Sequence, residues 1–312
     1  MKKANLLIAG EPKSGTSALY EFLKFHPEVY MSVEKEPAYF CSDFHKESSD
    51  FYGKNIFFHH TTEESYNKLF ADVRNEKIRG EASTIYLYSK TSAEEIHSYN
   101  PETKIIMMFR EPVSFMHSLH SQYLSMMAEE EECFAKALVL EENRKNHSSV
   151  PSGARSPSYL FYRERANYYE HIQRFLKIFK KEQLRVIIFE EFIKDNERTF
   201  KDVLSFLEID EKFNPEYKDV NTNKTVKFKF LYRLVQSPKL KLFFWKILTP
   251  KIYYKIKKIH EAIFFKHQKR IPLNDDLREE LKIEFRPSVV KLNDLLKEEG
   301  LIEADLLELW KY

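Results

Sequence analysis

The feature that most constrains this chain of 312 residues is the stretch LLIAGEPKSGTSALYEFL at residues 6–23. The apolar run at 4–9 predicts a buried β-strand, and the pattern at 16–25 predicts a helix that begins at the glycine loop. Such a loop exposes backbone N–H groups, and the N-terminus of the helix adds partial positive charge. The stretch therefore predicts an anion site within an α/β fold.

The lysine of this loop is at a different position from the lysine of a Walker loop, which binds nucleoside triphosphates. That type requires lysine directly after the second glycine. Here Thr16 follows Gly15, and the lysine is Lys13, whose ammonium can fold over a bound anion. Thr16 and Ser17 can add hydroxyl donors. The alternative interpretation is a plain strand–helix turn with a solvated lysine.

Apolar runs that predict buried strands alternate with helical patterns along the rest of the chain. Strands, or strands with their exit loops, are predicted at 28–32, 77–88, 103–112 and 184–192, and helices at 62–72, 91–99, 113–127 and 160–180. The polar stretch 129–158 predicts a flexible loop, and the chain from about 196 onward predicts helices broken at prolines. The alternation is typical of a parallel, doubly wound sheet flanked by helices.

A second candidate anion-binding segment is FREPVSFMHS, at the end of the strand predicted at 103–112. Arg110 ends the strand, and Ser118 lies eight residues later on the following helix. Open α/β sheets bind ligands at strand ends, and an arginine there can hold a phosphate by a bidentate fork. Pairing of Arg110 with a neighbouring carboxylate such as Glu111 is the alternative.

In this order, the two segments resemble the sulfotransferase superfamily that uses 3′-phosphoadenosine 5′-phosphosulfate (PAPS). PKSGTS at 12–17 resembles its 5′-phosphosulfate loop, and Arg110 to Ser118 resembles its 3′-phosphate motif. The segments HPEVYMSVEKEPAYF, GEASTIYLYS, VIIFEEFIKD and FRPSVVKLNDLLKEEGL agree. The resemblance covers nearly the whole chain and is strongest to bacterial members and to the carbohydrate (heparan-type) branch.

The resemblance implies an α/β fold with a P-loop-like parallel sheet flanked by helices and a largely helical C-terminal portion. It implies one sulfotransferase domain over 1–312, in which 1–220 form the PAPS-binding core and 221–312 a helical, basic extension. No metal is expected, because a sulfuryl donor carries less charge than the phosphates of a nucleoside triphosphate. The residues implied to bind PAPS are Lys13, Ser14, Gly15, Thr16, Ser17, Arg110, Ser118 and Lys224.

The same resemblance implies two catalytic residues. Lys13 would contact the bridging oxygen and neutralise charge as the sulfur–oxygen bond breaks. Glu36, in EKEPAYF, matches the catalytic glutamate of the heparan-type branch and would be the general base that takes the acceptor proton. A surface glutamate, next to a solvated Lys35, is the alternative interpretation of this segment. His117 or His120 is then the fallback base.

Two positions depart from the heparan-type pattern. A histidine often found two places after the glutamate is Ala38 here, and a lysine of the strand-exit loop is Ala82. Neither change affects the residues expected to bind PAPS, but both argue against an acceptor like heparan. We therefore expect a broader class of acceptor, a hydroxyl of a carbohydrate or glycolipid-like molecule.

Composition bears on compartment and partners. Two cysteines make neither a disulfide framework nor a zinc set, and the first apolar run is too short for a signal peptide, so a cytoplasmic protein is expected. Between 224 and 270, fourteen lysines and arginines accompany one acid, Glu261. This stretch predicts peripheral contact with an anionic membrane or, alternatively, packed helices with solvated lysines. Nucleic acid is not expected, because no recognition motif accompanies the charge.

Two other functions are compatible with the sequence. One is a nucleotide-dependent phosphotransferase, and the other is a non-catalytic protein that binds a membrane or a polyanion on the same scaffold. Magnesium-independent binding of adenosine 3′,5′-bisphosphate (PAP) would separate a sulfotransferase from the first. Transfer of labelled sulfate would separate it from the second.

Overall fold

A computed structural model describes residues 2–215, 224–226, 265–267 and 272–312. At its centre is a five-stranded sheet in which every neighbouring pair is parallel. The strands are β1 (Leu6–Gly10), β2 (Val29–Met31), β3 (Ile78–Ala82), β4 (Lys104–Phe109) and β5 (Leu184–Ile188). Their order across the sheet is β2-β3-β1-β4-β5. The expected parallel sheet of an α/β fold is confirmed.

Helices flank the sheet on both faces. In chain order they are α1 (Thr16–Lys24), α2 (Ser42–Tyr52), α3 (Glu63–Asn67), α4 (Ile85–Tyr88), α5 (Ser92–Tyr99), α6 (Pro112–Met126), α7 (Phe134–Val139), α8 (Glu141–Lys145), α9 (Tyr162–Arg165), α10 (Tyr168–Leu176), α11 (Phe189–Lys194), α12 (Asn196–Leu207), α13 (Asp275–Glu298) and α14 (Leu306–Trp310). The helical C-terminal portion is seen in α13 and α14. It also holds an antiparallel pair that the sequence did not predict, β6 (Lys224–Val226) with β7 (Phe265–His267).

The central strand β1 is apolar throughout because helices cover both faces of the sheet. Its five residues are all buried, as is typical of parallel strands between two helical layers. Leu7 and Ala9 belong to the hydrophobic cluster on one face, and Leu6 and Ile8 belong to the cluster on the other. This alternation follows from the two-residue period of a strand.

Two predicted boundaries differ from the structure. The strand predicted over 184–192 ends at Ile188, and α11 follows at once, because an apolar run alone does not separate a buried strand from a short helix. The helix predicted over 160–180 is two helices, α9 and α10, interrupted at 166–167.

The stretch 129–158, expected to be a flexible loop, is instead folded against the core. It contains α7 and α8, and its first residue, Glu129, forms a fully buried ion pair with Arg144 at 2.8 Å. The Tyr162 hydroxyl donates to the same carboxylate, also at 2.8 Å. Composition alone gave the wrong expectation, because it does not show that these charged and polar side chains are buried as partners.

The C-terminal end of the chain packs beside the strand end of β4. The Trp310 indole donates to the Glu190 carboxylate at 2.9 Å, and the Tyr312 hydroxyl donates to Glu111 at 2.7 Å. Across the described ranges, no helix is both long enough and apolar enough to cross a membrane. Most of the basic stretch 224–270 lies outside those ranges, so the single-domain organisation and the membrane contact stay predictions.

Candidate active site

The residues of the candidate site lie at the carboxyl edge of the sheet because β3, β1 and β4 are adjacent and parallel. After β1, the Glu11 amide donates to the Met108 carbonyl of β4 at 3.1 Å. After β3, the Ser83 amide donates to the Ile8 carbonyl of β1, also at 3.1 Å. The three strand-exit segments therefore meet at one edge, where ligands of open α/β sheets bind.

The predicted phosphosulfate loop has a backbone that requires its two glycines. Gly10 and Gly15 have φ values of 120° and 92°, and a Cβ at Gly10 would lie 2.5 Å from the Met108 amide nitrogen. Lys13 also has a left-handed φ, 69°. Strain of this kind persists where surrounding contacts fix the backbone. One such contact is a hydrogen bond from Arg110 Nη1 to the Lys13 carbonyl, at 3.0 Å.

Two buried polar atoms at this loop fit an anionic ligand. Ser14 Oγ and Arg110 Nε make no hydrogen bond to any part of the chain that the structure describes. A buried donor without an acceptor costs about 1–3 kcal/mol. Burial also lowers the pKa of the Arg110 guanidinium, which lies 4.6 Å above the Phe189 ring. A phosphate or sulfate bound here would supply the acceptor oxygens.

The helix that follows β4 clarifies the role of Glu111. Its carboxylate caps α6 by accepting from the amides of Val113 and Ser114, at 2.9 and 2.7 Å. The alternative pairing of Arg110 with Glu111 is therefore not the arrangement seen, although the two charges attract each other. Ser118 lies on the buried side of α6, and β6 packs against the same helix. Lys224 begins β6, but its side chain is outside the described part of the chain.

The segment of Glu36 follows β2 and is held in a strained turn beside the end of β3. Glu36 and Ala38 have φ values of 56° and 50°, unusual for residues other than glycine. The Glu36 amide donates to the Ala82 carbonyl at 2.8 Å, and the Ala38 amide donates to Ser83 Oγ at 3.0 Å. The half-buried Glu36 carboxylate accepts from the Thr84 amide at 2.9 Å. It is therefore a fixed group at the sheet edge, not a free surface carboxylate.

Lys35 joins this segment to the helix of the phosphosulfate loop. Its ammonium donates to Ser17 Oγ at 2.5 Å and lies 5.0 Å from the centre of the Tyr20 ring. The alternative of a solvated Lys35 is not the arrangement seen, because α1 and the 33–38 segment pack side by side. Ser17 accordingly has a protein partner, while Thr16 is buried at the N-terminus of α1.

Two fully buried carboxyl groups near Glu36 were missed by the sequence reasoning. Glu81 accepts from Ser83 Oγ at 2.9 Å, and burial raises its pKa to about 8. Glu11 pairs with Arg165 at 2.8 Å, and burial raises its pKa although Arg165 opposes the shift. Both lie within electrostatic reach of Glu36. A charged residue in or directly after an apolar strand is the signal that could have indicated them.

The fallback base His120 has a structural role. It is buried, its Nε2 lies 2.8 Å from the Glu131 carbonyl, and burial lowers its pKa. His117 and His120 both pack beside the Phe134 ring, and the His117 ring centre lies 5.3 Å from it. Glu36 is therefore the better placed of the candidate bases, because it lies at the sheet edge with the phosphosulfate loop.

These features define a candidate anion site at the carboxyl edge of an α/β sheet, and comparison with known proteins gives the family. The family model described as the sulfotransferase domain matches residues 3–237. The chain therefore belongs to the sulfotransferase domain family, and the predicted resemblance is confirmed.

Similar proteins include both branches that the sequence indicated. Human heparan sulfate glucosamine 3-O-sulfotransferase 5 is 27% identical over 209 residues, which cover 66% of this chain and 52% of the relative. Human heparan sulfate glucosamine 3-O-sulfotransferase 6 is 31% identical over 121 residues, or 38% of this chain and 30% of the relative. The chain thus spans about half or less of the length of these relatives. The crystal structure of a sulfotransferase from Alicyclobacillus acidocaldarius superposes over 100% of both chains, with a TM-score of 0.70 and 25% identity.

Proposed function

We propose that this chain transfers the sulfuryl group of PAPS to a hydroxyl of a carbohydrate or glycolipid-like acceptor. The observation that carries the proposal is the convergence of three segments at one sheet edge. Arg110 is hydrogen-bonded to the loop at Lys13, and the strained turn of Glu36 is bonded to the exit of the neighbouring strand. Membership of the sulfotransferase family supports the reaction class.

The residues at this edge fit PAPS. Ser14 Oγ and Arg110 Nε are buried donors without an acceptor in the described chain, at the two places where the resemblance expects the 5′- and 3′-phosphates. Lys13, Ser14, Gly15, Thr16 and Ser17 would hold the 5′ side, and Arg110 and Ser118 the 3′-phosphate, with Lys224 as a further contact. When bound, PAPS supplies an activated sulfuryl group.

The chain's own residues then perform two tasks. Glu36, oriented by Thr84, takes the proton of the acceptor hydroxyl, so that its oxygen forms the new bond to sulfur. Lys13 stabilises the negative charge on the phosphate oxygen as the old sulfur–oxygen bond breaks. The fixed turn at 36–38 keeps the base in place without reorganisation at the moment of reaction.

Two observations support the proposed class of acceptor: the names of similar proteins, and two residues at which this chain differs from the heparan-type pattern. The similar human enzymes are named for heparan sulfate glucosamine, which supports a carbohydrate acceptor. Ala38 and Ala82 stand where the heparan-type pattern has a histidine and a lysine, so a broader acceptor class is proposed. A cytoplasmic location and contact of 224–270 with an anionic membrane belong to the same proposal, and their support is composition.

A sulfate-transfer assay tests the proposal. The protein is incubated with ³⁵S-labelled PAPS and a panel of oligosaccharides and glycolipids, in the presence of a chelator. The expected result is labelled acceptor and PAP as products. Transfer of the γ-phosphate of labelled ATP, with no sulfate transfer, would favour the phosphotransferase. Binding of PAP without transfer to any acceptor would favour the non-catalytic alternative.

A further inference from the structure

Two arginines flank one tyrosine ring beside the candidate site, and their surroundings differ. The Cζ atoms of Arg155 and Arg165 each lie 5.8 Å from the centre of the Tyr159 ring. Arg165 is fully buried and is neutralised by its ion pair with Glu11, the residue that opens the phosphosulfate loop. Arg155 is half-buried, and no carboxylate of the described residues forms an ion pair with it.

The segment that carries Arg155 is fixed by several contacts. The Tyr52 hydroxyl donates to the Ala154 carbonyl at 2.6 Å, and Ser156 Oγ donates to the Glu47 carboxylate of α2 at 2.7 Å. A Cβ at Gly153 would lie 2.1 Å from the carbonyl oxygen of the residue that follows α6, so only glycine permits this close approach. The position of Arg155 is therefore set by the fold.

Arg155 is linked to the candidate site through a chain of side-chain contacts. Tyr159 connects it, through Arg165 and Glu11, to the phosphosulfate loop. Burial would lower the pKa of Arg155, but attraction to Tyr159 and Glu36 raises it. Arg155 and Glu36 thus attract each other without forming an ion pair. Glu11 and Glu81, two carboxyl groups within electrostatic reach of Glu36, are fully buried.

We propose that Arg155 is a specificity-determining residue, which binds an anionic group of the acceptor near the hydroxyl that Glu36 deprotonates. A guanidinium presents paired donors that match the oxygens of a carboxylate or of a sulfate ester. The anionic group of the acceptor is therefore one of these two. The strand-exit loop offers no cation at Ala82, so Arg155 supplies the charge from a distant segment. The inference rests on the proposed function.

The test compares the variant Arg155→Gln with wild type on two matched acceptors. These are an oligosaccharide that contains glucuronic acid and the same oligosaccharide after reduction of its carboxyl groups. A third acceptor, the reduced oligosaccharide bearing a sulfate ester, separates the two anions. Arg185→Gln is the matched control, because Arg185 lies on β5 and pairs with Asp202 at 3.4 Å. Calorimetry with PAP shows that each variant is folded and binds the nucleotide.

We expect wild type to prefer the acidic acceptor. Arg155→Gln should raise KM for that acceptor about 10–100-fold and should leave KM for PAPS and the kinetics of the neutral acceptor unchanged. Arg185→Gln should match wild type. If Arg155 binds a carboxylate, KM should rise for the unreduced oligosaccharide. If it binds a sulfate ester, KM should rise for the sulfated one.

Several results would overturn the inference. Wild type that sulfates only the neutral acceptor, or none of the three, would show that no acceptor anion is recognised here. An equal fall of kcat with acidic and neutral acceptors would make Arg155 a positioning residue for Glu36. Failure of the proposed function is read separately, as absence of PAP binding together with absence of sulfate transfer to every acceptor of the wider panel.

Discussion

The proposed donor side of the site, formed by 13–17, Arg110 and Ser118, is built from two short stretches that each follow a strand. The proposed acceptor side, formed by Glu36, Thr84 and Arg155, is assembled from three separate segments and held by a strained turn. Backbone groups and one helix N-terminus dominate the first, whereas side chains from distant positions dominate the second. The difference shows that the anion site follows from the strand–loop–helix pattern of the fold, whereas the choice of acceptor depends on how distant loops pack on the sheet.

Among variants that affect only one side of the site, Glu36→Gln should cause the largest loss of turnover. The variant keeps the shape of the side chain and loses the base, so turnover should fall by about 10²–10⁴ while PAP affinity stays close to that of wild type. Sulfate-transfer kinetics beside calorimetry with PAP measure the two quantities. Glu64→Gln, at an exposed helix pair, is the control. Normal turnover in the Glu36→Gln variant would remove Glu36 from the mechanism.

Lys13→Ala should affect the chemical step on the donor side. Loss of one positioned charge at a transition state typically costs about 10²–10³ in rate. We expect this fall in single-turnover transfer, with the midpoint of thermal unfolding almost unchanged because Lys13 is only half-buried. Near-normal turnover in a folded variant would contradict the role given to the loop.

Arg110→Ala and Ser118→Ala should weaken binding of PAP in a way that depends on its 3′-phosphate. A charge-assisted hydrogen bond is stronger than a neutral one, so Arg110→Ala should reduce the preference for PAP over adenosine 5′-phosphate about 10–100-fold and Ser118→Ala less. Calorimetry with both nucleotides measures the preference. Ser121→Ala, one turn further along α6, is the control. If both variants kept the full preference, the 3′-phosphate would bind elsewhere.

An effect on stability rather than on binding or turnover is expected at Glu81, which supports the acceptor-side turn through Ser83. Burial raises the pKa of Glu81 from 4.5 to about 8. The folded state therefore binds more protons than the unfolded state between these values, and the stability due to this group is complete below pH 4.5 and lost as the pH rises towards 8. The loss is at most about 1.4 kcal/mol per pH unit.

Urea unfolding of wild type and Glu81→Gln at several pH values measures that dependence. The free energy of unfolding of wild type should fall relative to the variant as the pH rises, because the glutamine does not titrate. Parallel profiles would mean that Glu81 is not protonated in the folded protein, and the turn would then rest on other contacts.

The donor side could be predicted from sequence because its residues are close together. Gly10, Lys13 and Gly15 follow one apolar run, and Arg110 ends another, so strand periodicity places them at one edge. Glu36 was predicted only from family resemblance. Nothing local in its segment indicates the left-handed turn or the hydrogen bonds to Thr84.

The contacts that hold the segments around Glu36 and Arg155 could not be predicted, because many of the partners are distant in sequence. Arg165 and Glu11 are 154 positions apart, and Ser156 and Glu47 are 109 apart. The polar composition of 129–158 is equally typical of a solvated loop, and buried pairs such as Glu129 with Arg144 become visible only in three dimensions. The sequence also did not indicate the contact of Lys35, since its partner Ser17 lies on α1.

A crystal structure of the protein with PAP tests the central claim most directly, namely that the two sides face one reacting group. We predict the 5′-phosphate at the loop, within hydrogen-bonding distance of Ser14 Oγ and the Lys13 ammonium, and the 3′-phosphate on Arg110. The Glu36 carboxylate should face the 5′-phosphate across a space open to an acceptor. A nucleotide bound away from this edge, or a Glu36 carboxylate turned away from the 5′-phosphate, would contradict the account.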